Sequence, residues 1–248
     1  RSFSENPGIV SEYAAQYIRG LQENGMISTA KHFPGHGDTQ TDSHSSLAMI
    51  PSDSSRLWSV ELKPFIDVAN AGVDAIMIAH VHAPDFQPES DIPATLSKFW
   101  VTDILKNKIG YKGIIITDGM GMGGVTKNYA DDYAIIEAVK AGCDVIIQNY
   151  NIVGSINAIE NAVKNNEISI EQINSSVLKI LKMKENAGLH LNPFVDLDFM
   201  MKTIGIKEHK EASDRISTEA ITLVKDEKNL LPLDIDLKDT LYVFDIYD

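Results

Sequence analysis

Short β-branched or apolar runs stand at 29–33 (TAKHF), 74–81 (DAIMIAHV), 113–118 (GIIITD) and 143–148 (CDVIIQ). Their length and composition predict strands. Between them, amphipathic patterns over 4–23, 56–71, 97–108 and 131–141 predict helices, each ending near a glycine able to cap it. Alternation of this kind predicts a parallel sheet. Paired helices are expected at 151–165 and 169–185. The stretch from 187 to 206 then loses its periodicity and reads as a linker. A helical pattern over 209–224, KNLLPL at 228–233 and the strand-like TLYVFDIYD at 240–248 follow it.

Every predicted strand ends in polar or ionisable residues: Lys31 and His32, His80 and His82, Asp118, then Gln148 and Asn149. Polar groups at the carboxyl ends of parallel strands are what a (β/α)8 barrel active site requires, with an open doubly wound sheet as the structural rival. Four strands cannot close a barrel. The expected organisation is therefore the later, C-terminal part of a TIM barrel over 1–186, a linker over 187–208 and the first elements of a second domain over 209–248.

The densest chemistry lies in KHFPGHGDTQTDSH, residues 31–44, which holds three histidines, two aspartates and a lysine. A packed core would not tolerate so many ionisable groups unpaired, so the segment is expected to line a polar cleft. Asp42 and His44 sit two apart in a turn-rich loop, where a carboxylate can orient a ring whose ordinary pKa is near ~6.5. His44 is thus a candidate general acid and base; a capping Asp beside an exposed His is the plainer alternative. Asp118 closes an apolar strand and precedes GMGMGGV, which makes it a candidate nucleophile or electrostatic stabiliser, or else a cap for the turn that follows. Gly119 to Gly124 spell G-x-G-x-x-G, but the next strand ends in Gln148 and Asn149 and offers no acidic residue to hold a ribose. Zinc is a poor match for His32, His36, Asp38, Asp42 and His44, because no ligand spacing fits and Lys31 adds a cation. His80 and His82 alternate, so at most one, His80, is expected to face the cleft, with a satisfied structural histidine as the alternative.

Composition narrows the field. The chain has 248 residues, 44% of them hydrophobic, enough for a substantial core, and a formal net charge of −13 that argues against nucleic-acid or anionic-membrane partners. The single cysteine, Cys143, excludes an intramolecular disulfide and reads as a small core residue. No apolar run approaches the roughly 20 residues of a spanning helix, and the N-terminus lacks the order of a signal peptide.

Taken in order, KHFPGHGDTQTDSH, DAIMIAHV with PATLS, and GIIITDGMGM resemble the glycoside hydrolase family 3 β-N-acetylglucosaminidases, and RSFSENP and SDRISTEAITLVKDEKNLLPL extend the likeness through nearly the whole chain. The resemblance implies a retaining, cofactor-free, metal-free glycosidase acting on glycans that contain N-acetylglucosamine, such as muropeptides or chitooligosaccharides. Asp118 would be its nucleophile, His44 its acid/base and Asp42 the dyad partner. It further implies that Arg1, Lys31 and His32 hold the sugar, and that 209–248 open an α/β sandwich domain. By analogy, that second domain points to a bacterial periplasmic or extracellular protein. Gly119 departs from the family, where a bulkier residue is common. Two alternatives stay open: a β-N-acetylglucosaminide phosphorylase, and a non-catalytic piece that needs a partner for its missing strands.

Overall fold

The structure is a computed structural model and describes residues 3–39, 41–51, 53–87, 91–148 and 150–227. The chain divides into two compact units, Arg1–Pro193 and Phe194–Asp248.

The first unit opens on the helix Pro7–Glu23, whose start is set by Asn6. Its side chain accepts from the Gly8 and Ile9 amides at 2.8 and 3.3 Å, and Pro7 takes the first helical position. Among the described residues five strands follow: β1 (Thr29–Phe33), β2 (Ala48–Met49), β3 (Ala75–Ile78), β4 (Val81–His82) and β5 (Ile114–Thr117). β1, β3 and β5 form a parallel three-stranded sheet in that order, with Ala75 opposite both Thr29 and Ile114. Each sheet strand is followed by helix before the next, as parallel pairing demands. β2 and β4 make a separate parallel pair, which returns the loop after β1 onto the segment after β3. This partial (β/α) barrel matches the expected fold class.

The core gathers where the helices meet the sheet. Phe33 and Trp100 are fully buried, and Phe33 meets the rings of Phe65 and Trp100 edge-on at 5.4 and 6.0 Å. Trp100 donates its indole N–H to Gln87 Oε1 at 2.8 Å, so this ring is buried without an unpaired polar atom.

Three expectations differ from what is seen. The 56–71 helix is broken into a π-helical turn, Leu57–Glu61, and the helix Lys63–Asn70, with Pro64 inside the first turn of the latter. The predicted strand over 143–148 is reduced to a single bridge between Val145 and Ile116. The cause is that side chains replace its ladder partners: Asp144 Oδ2 accepts from the Ile115 amide at 3.0 Å, and Thr117 Oγ1 accepts from the Ile147 amide at 3.0 Å. The stretch over 187–206, read as aperiodic, contains the helix Leu197–Thr203, capped by Asp196, while the helix expected over 209–224 is seen as Lys207–Ala220. The segments KNLLPL and TLYVFDIYD, read as the start of a sandwich domain, lie outside the described residues. Among the described residues no helix is long and apolar enough to cross a membrane.

Candidate active site

Three parallel strands deliver their carboxyl ends to one place. β1 brings Lys31 and His32, the residues after β3 bring His80, and the residue after β5 is Asp118. The Asp118 amide donates to the Ile78 carbonyl at 2.9 Å, which continues the β3–β5 ladder and fixes the backbone beneath its carboxylate. Asp118 Oδ1 accepts from the Gly119 amide at 2.8 Å, and Oδ2 faces His32 Nε2 at 3.6 Å.

His32 is half-buried, and its pKa is pushed down to about 4. Burial is the main cause; the Asp118 carboxylate opposes it, while Lys31, His36 and His44 press further in the same direction. Near neutral pH His32 is therefore an uncharged ring beside a carboxylate. Lys31, its neighbour on β1, is exposed.

Asp42 and His44 come together as the loop pattern predicts. Their side chains meet through Nδ1 and Oδ1 at 2.7 Å, and the same oxygen accepts from the His44 amide at 2.9 Å. These two bonds, the backbone one first, hold the Asp42 carboxyl below the usual carboxylate range. The pair is not enclosed: the His44 and Asp42 side chains are 75% and 66% exposed. The loop itself is braced from within. His36 spans it through Nε2 to Ser43 Oγ at 2.8 Å and Nδ1 to Thr39 Oγ1 at 2.7 Å, and Asp38 pairs with Arg56 at 2.5 Å. Sequence reading weighed His36 and Asp38 only as metal ligands, since bonds across a loop leave no periodic signal. Among the described residues no group of three His, Cys, Asp or Glu could hold a metal ion.

His80 and His82 are both buried. His80 Nε2 lies 2.9 Å from the Gly119 carbonyl oxygen and Nδ1 lies 2.9 Å from Thr95 Oγ1. Burial lowers its pKa; Nε2 faces a carbonyl oxygen that can only accept, so it donates to Gly119, while the Thr95 hydroxyl also donates to the Ala79 carbonyl at 2.8 Å. The ring thus sits under the turn that follows Asp118. His82 Nδ1 contacts Gln87 Oε1 at 3.2 Å, the same oxygen that accepts from the Trp100 indole. Arg1 and Asn149, singled out from sequence, lie outside the described residues.

The family model of the glycosyl hydrolase family 3 N terminal domain matches residues 1–183. A β-hexosaminidase A of Pseudoalteromonas piscicida is 31% identical across 94% of the chain, which spans 42% of that relative. The structure of a glycoside hydrolase family 3 β-N-acetylglucosaminidase from Paenibacillus sp. str. FPU-7 superposes with a TM-score of 0.83 at 34% identity, over 91% of this chain and 43% of that one. The β-glucoside phosphorylase BglX gives a TM-score of 0.87 at 26% identity, over 94% of this chain and 44% of that one. The chain spans less than half the length of these relatives.

Proposed function

As the chain belongs to glycosyl hydrolase family 3, we propose that it carries the catalytic residues of a retaining exo-β-N-acetylglucosaminidase, acting on the terminal N-acetylglucosamine of muropeptides or chitooligosaccharides. The observation that carries this reading is the Asp42–His44 pair, closed at 2.7 Å on a loop whose base is the strand bearing His32, itself 3.6 Å from Asp118.

The roles follow from charge. A neutral His32 forms no ion pair with Asp118, so no neighbouring imidazolium competes with the anomeric carbon for the attacking carboxylate oxygen. As the Asp118–carbon bond forms, the glycosidic carbon–oxygen bond breaks, and His44 gives its proton to the departing oxygen while Asp42 stabilises the ring as a cation. In the second step the neutral His44 takes a proton from water, whose oxygen displaces Asp118. Two inversions retain the configuration. Lys31, His32 and Arg1 are assigned to the sugar hydroxyls: an exposed cation and a neutral ring beside the nucleophile suit that task. The chain divides in this reading into barrel residues 1–186, a linker over 187–208 and the opening of an α/β sandwich over 209–248.

A second reading has its own support. An imidazole repels an incoming anion less than a second carboxylate would, and one fold neighbour is named a phosphorylase. The test is turnover of an aryl β-N-acetylglucosaminide by the complete protein, with and without phosphate, beside Asp118→Ala. Loss of at least about a thousandfold in the variant supports the nucleophile. Acceleration by phosphate transfers the reading to phosphorolysis. A folded, inert complete protein that still binds the sugar would replace catalysis with a binding role.

A further inference from the structure

The run GMGMGG, residues 119–124, has the letters of a dinucleotide fingerprint without its context, and the chemistry assigned to Asp118 does not itself require glycine at these positions. The structure gives two of them a duty. Gly123 donates its N–H to the His44 carbonyl oxygen at 3.0 Å, and Gly124 donates to the Ser43 carbonyl oxygen at 3.1 Å. A methyl group on Gly123 would stand 2.5 Å from the Ser45 carbonyl oxygen and 2.8 Å from that of His44. On Gly124 it would stand 2.9 Å from His80 Cβ and 3.1 Å from the Ser43 carbonyl oxygen. Those oxygens are backbone and cannot swing aside, so a side chain at 123 must lift the loop. At Gly121 the space is filled instead by the edge of the Tyr150 ring, which can rotate away.

The same segment is pinned from below. His80 Nε2–H donates to the Gly119 carbonyl, which also accepts from the Met122 amide at 3.0 Å, and the Met120 amide donates to Ile147 at 2.9 Å. The Asp42 and His44 side chains are exposed and bond to each other, so the ring's place relative to Asp118 depends on the backbone that carries it. We infer that Gly123 and Gly124 are positioning residues, a floor on the same turn as Asp118 onto which the His44 loop docks, so that acid/base and nucleophile are held in register. This rests on the reading of Asp118 as nucleophile and His44 as acid/base.

Gly123→Ala in the complete protein separates the two functions. Its expected signature is covalent labelling of Asp118 by a 5-fluoro N-acetylglucosaminyl fluoride at a rate near wild type, since fluoride leaves with little acid assistance. Turnover of a phenyl glycoside should fall about 10- to 100-fold. With an activated aryl leaving group, added azide should restore turnover as glycosyl azide: the anion displaces Asp118 from the anomeric carbon and no proton has to be removed. Labelling and turnover that fall in parallel, or kinetics equal to wild type, would overturn the inference. His44→Ala is run beside it; if that variant shows neither leaving-group dependence nor azide rescue, the acid/base assignment has failed and takes the floor's role with it. Should Gly123→Ala not fold, amide hydrogen exchange of the wild-type protein decides. Protection at Gly123 and Gly124 supports docking, and exchange at open-loop rates refutes it.

Discussion

His32 carries the clearest pH signature of any single residue in the site. Its folded pKa, about 4, lies below the ordinary 6.5, so the unfolded chain binds more protons between those values. Stability from keeping the ring neutral is thus fully present above about pH 6.5 and is lost as the pH falls toward about 4. With the side chain 26% exposed, the loss is about 1–3 kcal/mol. Urea midpoints taken from pH 7 to pH 4.5 should fall more steeply for wild type than for His32→Gln, which has no titrating ring; parallel slopes would remove burial as the source of the shift. At this scale the sequence was informative wherever partners are close in the chain. Asp42 and His44 could be paired on paper because two residues of a turn-rich loop separate little. His36 with Ser43, and His80 with Gly119, could not, because a folded loop in one case and 39 residues of chain in the other bring them together.

Between elements, Asp144 does work that periodicity could not reveal. Within GCDVIIQ it reads as the polar start of a strand, yet its side chain is 2% exposed and joins three elements. Oδ2 accepts from the Ile115 amide and from Lys179 Nζ, both at 3.0 Å, and Oδ1 accepts from Ser176 Oγ at 2.7 Å. The helix Ile170–Asn186 is thereby tied to β5, the strand that presents Asp118. Strand and helix positions were legible from apolar spacing; the ladder lost at 143–148 was not, because the competitor for its hydrogen bonds is a side chain. Asp144→Ala leaves the Ile115 amide without its acceptor and a partly buried lysine without its counter-charge, with only the Gly113 carbonyl at 3.2 Å still accepting from Lys179, and is expected to cost about 2–4 kcal/mol in chemical denaturation. Asp144→Asn keeps a carbonyl oxygen and should lose less. Equal losses from the two would mean that the charge on Lys179, and not the amide and hydroxyl bonds, holds the helix to the strand.

At the level of the whole first unit, the sheet and its helices leave surface that a closed barrel would cover. Among the described residues β1 pairs with β3 alone, so its other edge carries free backbone donors and acceptors. Apolar side chains stand out on the helices flanking the sheet: Tyr13 and Tyr17 on Pro7–Glu23, Ile152, Val153 and Ile156 on Ile152–Lys164, and Val177, Leu178 and Leu181 on Ile170–Asn186. Exposed apolar surface beside an open strand edge favours association over a free monomer. The 248-residue chain by itself is therefore expected to elute as a concentration-dependent oligomer when size-exclusion chromatography is coupled to light scattering, and to bind an apolar dye. A compact monomer at every concentration would show that these faces are satisfied in solution without a partner. That outcome would also make the chain alone a fair subject for the glycosidase assay. Self-association would explain an inert chain without touching the roles assigned to Asp118 and His44, and those roles would then have to be tested in the complete protein.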